Sequence, residues 1–256
     1  MKKKSNAEVK IRLNKYISQS GLCSRREADN LIKQGHVKVN GSLCNELGSK
    51  VNINDLVQIN NRPIKPEKNI YILLNKPKDY ITSNKDTQNR KIVFDLIKGI
   101  KERLFSVGRL DRNTTGVLLL TNDGDIVKKL THPENKIKKI YSVTLNKKIS
   151  EKNINQIKNG IVIDKELIKV DKIQKLDSKF EVGIEIHKGK NGVIRKIFES
   201  INLNVKRLDR VMFGPFSKKN LGRGKWRKLN ESEVRNLKLF NLKNSVSTDK
   251  SSISKA

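Results

Sequence analysis

The stretch 108-GRLDRNTTGVLLLTNDGD-125 sets one carboxylate, Asp111, between Arg109 and Arg112, directly ahead of the unbroken apolar run Val117-Leu118-Leu119-Leu120. A short apolar run bounded by turn signals reads as a buried strand, and a buried strand fixes the loop that feeds it. Two readings of that loop stand. It is a solvated turn with local ion pairs, each worth well under ~1 kcal/mol, or it is a site that meets a polyanion and keeps one acid ionised among cations.

Composition leans toward the second reading. The 256 residues carry 56 Lys+Arg against 26 Asp+Glu, a net charge of +30. Such a balance points to a polyanionic partner, most often nucleic acid, although abundant Lys, Asn and Ile are also what an AT-biased genome produces. No run approaches a membrane span, and the charged start MKKKSNAEVK lacks the apolar segment of a secretory signal. Cys23 and Cys44 are too few for a disulfide framework or a zinc site, and His36, His132 and His187 are scattered. A cytoplasmic chain without a metal is therefore expected. No phosphate-cradling Gly-rich loop follows a strand, so no cofactor is expected and any chemistry falls to side chains.

Near the N-terminus, IRLNKYISQSG places Leu13, Tyr16 and Ile17 on one helical face, with Gly21 as its stop. SRREADNLIKQG follows: Ser24 and Glu27 form a capping box, Ala28, Leu31 and Ile32 the inner face, and Gly35 the end. HVKVNGSLC then alternates about Asn40-Gly41, a strong hairpin signal. Lys15, Arg25, Arg26, Lys33 and Lys38 lie off the apolar faces, either as a solvated basic surface or as phosphate contacts. The stretch RLNKYISQSGLCSRREADNLIKQGHVKVNG resembles the small RNA-binding domain of ribosomal small-subunit protein S-four. The resemblance spans about residues 9–58 and implies that these five cations face RNA. It names a partner class and no reaction.

NNRPIKPEKN, with two prolines and no apolar period, reads as a linker over 59–69. Beyond Ile70, short β-like runs (YILLNKP, VLLLT, KIYSVTL, EVGIEIH, RVMFGPF) mix with helical ones (IVFDLIKGI, DIVKKLTH, KNINQIKNG, IRKIFESI). The expected class is α+β with a largely antiparallel sheet. This second domain is expected over 70–240, and the Ser- and Lys-rich 241–256 as a disordered tail. The loop LGRGKWRKL and its surroundings gather Lys218, Lys219, Arg223, Lys225, Arg227 and Lys228 about Trp226 without an acid. RNA backbone contact is expected there, with Trp226 as a packing residue.

GRLDRNTTGVLLLTNDGD also resembles the signature of pseudouridine synthases that act on ribosomal RNA, in their single-site small- and large-subunit branch. Further elements follow in the family's order: LNKP at 74–77 with Lys76, KIYSV at 139–143, and KGKNGVIRKIFE at 188–199 with Lys190 and Arg195. The resemblance implies isomerisation of uridine to pseudouridine. It assigns Asp111 as the essential carboxylate, Tyr141 as a base-stacking hydroxyl and Arg195 as the partner of Asp111. Arg109 then braces the space left by the flipped base, and Lys76, Lys190, Arg223 and Lys225 contact RNA. RVMFGPF and LGRGKWRKL resemble the large-subunit members, so 23S RNA, free or in a pre-ribosomal particle, is the expected substrate of a monomeric enzyme.

The chain departs from the family pattern in two places. Asp79 stands where a glycine is usual, and Asn191-Gly192-Val193 replaces Asn-Arg-Gln/Glu beside Arg195. Gly192 is the best argument for a non-catalytic assembly factor that keeps the fold, and a 16S target also stays open. A transferase with a small-molecule donor lacks a donor loop.

Overall fold

Ser24 caps its helix as a capping box requires: its Oγ accepts from the Glu27 N–H at 3.2 Å, and Glu27 Oε2 accepts from the Ser24 N–H at 2.7 Å. The computed structural model describes residues 10–187 and 192–239. The chain divides into two units, Met1–Asn69 with Lys101–Arg103, and Ile70–Ile100 with Leu104–Ala256.

In the first unit the order is β1 (Lys10–Arg12), α1 (Leu13–Gln19), α2 (Arg25–Lys33), β2 (Val37–Val39), β3 (Ser42–Leu43), β4 (Lys50–Asn52), β5 (Val57–Ile59) and β6 (Arg62–Ile64). β1 pairs with β4, and β3-β2-β5-β6 form the larger sheet. Asn40 and Gly41 turn β2 into β3 at φ 51° and 85°, the left-handed pair that a two-residue hairpin demands. Leu13, Tyr16, Ile17, Ala28 and Ile32 bury against Val37, Val51, Val57 and Ile59. The expected linker 59–69 instead holds β6, which pairs with β5 through Val57↔Ile64 and Ile59↔Arg62. Pro63 is tolerated because β6 is an edge strand.

The second unit runs β7 (Tyr71–Lys76), β8 (Phe105–Ser106), β9 (Thr114–Thr121), α3 (Gly124–Thr131), β10 (Lys139–Leu145), α4 (Glu151–Asn159), β11 (Ile161–Ile163), β12 (Glu166–Ile168), β13 (Lys172–Lys175), β14 (Glu181–Ile186), α5 (Val193–Glu199), β15 (Val205–Phe213), β16 (Phe216–Ser217), β17 (Trp226–Lys228) and α6 (Glu231–Leu239). Its sheet is ordered β13-β14-β10-β15-β9-β7-β17, with β16 on β15 and β8 on β9. Within this sheet β15 and β9 run parallel and the other pairs antiparallel. This is the α+β class with a largely antiparallel sheet.

The run Val117–Leu120 is unbroken because β9 is covered on both faces. Leu118 and Leu120 join one core with Ile72, Leu74, Ile154, Ile157, Ile197 and Phe198 of β7, α4 and α5. Val117 and Leu119 join the other, with Tyr71, Leu73, Ile126, Leu130 and Leu237 of β7, α3 and α6. Trp226 packs against the first core. The helix expected over IVFDLIKGI shrinks to a 3₁₀ turn, Val93–Leu96. Ile92 is drawn into a bridge with Ile81, its N–H is taken by the Asp95 carboxylate, and Gly99 turns left-handed at φ 82°. The tail 241–256 lies outside the described residues. Among the described residues no helix is long and apolar enough to cross a membrane.

Candidate active site

Asp111 sits in the loop between β8 and β9, and three side chains from residues 76–82 clamp that loop. Lys76 is 0% exposed; its Nζ donates to the carbonyls of Pro77, Asp111, Arg112 and Thr114 at 3.1, 3.0, 3.2 and 2.8 Å. Thr82 Oγ donates to the Leu110 carbonyl at 2.7 Å and accepts from the Leu110 N–H at 3.3 Å. Asp79 binds Arg112 twice, through N–H to carbonyl at 3.0 Å and carboxylate to Nε at 3.3 Å. Leu110 is buried between exposed Arg109 and Asp111. The loop is thus gripped through its backbone while the Asp111 carboxylate stays presented.

Asp79 explains its own departure from the family pattern. It takes φ 69°, the left-handed region where glycine is at ease and Asp is among the better-tolerated side chains. Lys76, expected at the RNA surface, is corrected by its burial: it is the staple of the Asp111 loop. Burial pulls its ammonium down to about 8, with Asp111 and Asp79 opposing the fall. Below that pH three N–H bonds serve four carbonyls, and above it one donor is lost. The single-turnover rate is therefore expected to fall as pH rises through about 8. Lys76→Met should lose on the order of a hundredfold in rate, as misplacing a reacting group does, and show no such alkaline limb. RNA binding should stay within a few-fold, and a stopped pH series on both proteins checks this.

Beside the loop lies a cavity of about 320 Å³, lined by Arg109, Asp111, Lys139, Tyr141, Gly192 and Arg210 among others. Tyr141 comes from β10 and Arg210 from β15, where they are cross-strand partners. The ladder slips between Ile140↔Met212 and Tyr141↔Arg210, leaving Val211 as the extra residue. Such a bulge re-aims the side chains next to it. Tyr141 is 8% and Arg210 2% exposed. Burial lowers the Arg210 pKa, with Tyr141 opposing. Lys139 is pulled down by burial and then by Arg210, against Asp171, and its Nζ donates to the His187 carbonyl at 2.9 Å. Among the described residues no group of three or more His, Cys, Asp and Glu could hold a metal ion.

Arg195 is not brought to Asp111. Its Nη1 donates to the Val205 carbonyl at 2.9 Å, tying α5 to the start of β15, and it is absent from the cavity wall. Besides exposed Arg109, the wall holds the buried guanidinium of Arg210, which no motif of the sequence singles out. The available signal was Gly116 inside a strand, which marks a close backbone approach. Gly192 caps α5 at φ 73° with open space around it; an arginine there would have room but a strained backbone. Lys190 lies outside the described residues.

The basic surfaces divide. Arg25, Arg26 and Lys33 are exposed on α2, with Arg25 also donating to Asn14 at 3.2 Å, while Lys15 and Lys38 are half-buried. Around Trp226 the expected acid-free field is corrected by pairings with acids that lie on either side of the loop, Asp209 and Glu233. Lys218 and Arg223 bind Asp209 at 2.5 and 2.9 Å, and Arg227 binds Glu233 through two 2.7 Å contacts. Burial pushes the Asp209 carboxyl up, but hydrogen bonds from Arg223, Lys218 and Thr115 outweigh it and hold it at about 2. Arg223 Nη1 also donates to Asn75 Oδ1 at 2.7 Å, so this arginine serves the fold, whereas Lys225 is exposed.

Comparison with known proteins identifies the family of the chain. Residues 70–200 match the family model described as RNA pseudouridylate synthase, and residues 11–57 match the S4 domain. The chain is 39% identical over 234 residues to an uncharacterised RNA pseudouridine synthase of Aquifex aeolicus, covering 90% of this chain and 94% of that one. It is 37% identical to the ribosomal large subunit pseudouridine synthase B of Bacillus subtilis, covering 89% and 95%. It is equally identical to the dual-specificity RNA pseudouridine synthase RluF of Escherichia coli, covering 91% and 79%. A crystal structure of a pseudouridylate synthase superposes with a TM-score of 0.64 at 28% identity, covering 89% of this chain and 99% of that one.

Proposed function

The chain belongs to the RNA pseudouridylate synthases, isomerases that act on RNA, and from that premise we propose that it converts a uridine of 23S ribosomal RNA to pseudouridine with Asp111 as its catalytic carboxylate. The observation that carries this reading is a single carboxylate, clamped by backbone contacts, at a cavity that also holds Tyr141. The reaction breaks the C1′–N1 bond, turns the base and joins C1′ to C5. C5 gives up a proton and N1 gains one, so nothing is oxidised and no co-reactant is consumed. Stacking hides the target atom in a helix, so the base must flip out, at a cost of a few kcal/mol.

In this reading Asp111 meets the nucleotide at the cavity mouth, the Tyr141 ring stacks on the base, and Arg109 faces the RNA beside it. The relative called a ribosomal large subunit pseudouridine synthase supports a ribosomal target, and the enzyme acts there as a monomer in the cytoplasm. Arg25, Arg26, Lys33 and Lys225 supply phosphate contacts from exposed positions. Replacing Arg25, Arg26 and Lys33 together by Gln should lower the log–log salt slope of RNA binding by about two to three units while sparing the saturating rate. An unchanged slope in a filter-binding series would remove α2 from the RNA interface.

Mapping pseudouridines in 23S and 16S RNA from cells with and without the protein tests the substrate. Loss of a 23S site is expected. Loss confined to 16S RNA, or no loss in either, would overturn the assignment.

A further inference from the structure

Arg210 is the bulkiest side chain that the described residues bury fully, and its bonding is incomplete. Nε donates to the Val117 carbonyl at 2.8 Å, and the guanidinium lies 4.7 Å from the Phe213 ring centre. Nη2 is buried and makes no hydrogen bond. No carboxylate pairs with this cation among the described residues: neighbouring Asp209 is taken up by Lys218, Arg223 and Thr115. A buried donor left without an acceptor is costly, the more so on a charged group. Val117 takes Nε, Phe213 offers a ring contact and the Tyr141 hydroxyl also faces the guanidinium, which leaves the Nη2 edge unexplained. Arg210 lines the cavity beside Tyr141 and with Asp111, so an acceptor that enters the cavity and reaches Nη2 meets a waiting donor.

The chemistry says what acceptor belongs there. When C1′–N1 breaks, the bonding pair stays with the base, and the charge spreads from N1 onto the carbonyl oxygens O2 and O4. A fixed donor in a water-poor wall stabilises such developing charge best, because it needs no reorganisation. We propose that Arg210 is a further catalytic residue of this chain, whose Nη2–H donates to O2 or O4 of the flipped uracil and holds the negative charge there while the C1′–N1 bond is open. Arg210 is neither consumed nor deprotonated; the C1′–C5 bond forms, the C5 proton leaves, and N1 is reprotonated. The proposal rests on the cavity being the uridine site. A phosphate contact is disfavoured by depth, since the RNA backbone stays continuous with the chain outside while Arg210 is sealed in.

The test uses a short RNA carrying the mapped uridine, prepared with oxygen at both positions, with sulfur at O2, or with sulfur at O4. Sulfur is a weak acceptor, so one of the two thio RNAs should slow wild-type single-turnover isomerisation at least tenfold relative to the other. Arg210→Met should be about a hundredfold slower on the all-oxygen RNA and should no longer distinguish the two thio RNAs. Arg210→Lys should recover part of the rate. Equal slowing of Arg210→Met on all three RNAs, with the wild-type sulfur preference retained, would make the residue structural and overturn the proposal. So would a wild type indifferent to both sulfurs, an outcome readable even if the Met variant does not fold. A wild type inactive on the all-oxygen RNA would bring down the uridine reading of the cavity as well.

Discussion

Asp111→Asn is expected to reduce isomerisation by at least about 10⁴-fold, roughly 5.5 kcal/mol of barrier, while RNA affinity stays within a few-fold. The loop should survive the change because its fixings run through the backbone. The Asp111 carbonyl accepts from Lys76 Nζ at 3.0 Å and from the Thr114 N–H at 3.0 Å, and Leu110 stays gripped by Thr82. Asn is isosteric and removes only the charge and the nucleophilic oxygen. Single-turnover assays beside filter binding separate the two effects. Turnover within tenfold of wild type would withdraw Asp111 from the chemistry.

Gly116→Ala should produce the largest loss of stability. Gly116 takes φ 110° and pairs with Arg210 where β9 and β15 run parallel. A Cβ added there would lie 2.2 Å from the Arg210 carbonyl oxygen and 2.6 Å from its nitrogen. Backbone cannot step aside as a flexible side chain does, so the strands must part in the middle of the sheet. Overpacking and left-handed strain each cost about 1–3 kcal/mol, and together they should remove about 4 kcal/mol or more. Thermal melting of the variant should show a fall of about 8–16 °C or more, or no cooperative transition. A melting temperature within 3 °C of wild type would mean that the β9–β15 approach is looser than its geometry.

The same pairing shows where the sequence was legible and where it was not. The run Val117–Leu120 announces a strand, and its lack of alternation announces cover on both faces, which the two cores supply. Ser24 with Glu27, and Asn40 with Gly41, are local signals obeyed locally. Arg210 was hidden because β15 reads Val-Lys-Arg-Leu-Asp-Arg-Val-Met-Phe, with four charged positions that no period sorts. Its place in the wall comes from the slip at Val211 and from a partner strand about ninety residues earlier. The pairings of Asp209 with Lys218 and Arg223, and the burial of Lys76, are likewise products of tertiary contact. They turn apparent RNA-facing cations into fixings of the fold. Arg195, expected beside Asp111, illustrates the reverse: a residue type in the anticipated order, with its guanidinium directed to Val205.

Release of tritium from a 23S transcript labelled at C5 of uridine, with purified protein in buffer alone, reads the isomerisation itself, because joining C5 to C1′ must expel the C5 hydrogen. Wild-type protein should release about one tritium equivalent per transcript with many turnovers per enzyme, and Asp111→Asn should release none above background. No release by the wild type, or continued release by Asp111→Asn, would contradict the account.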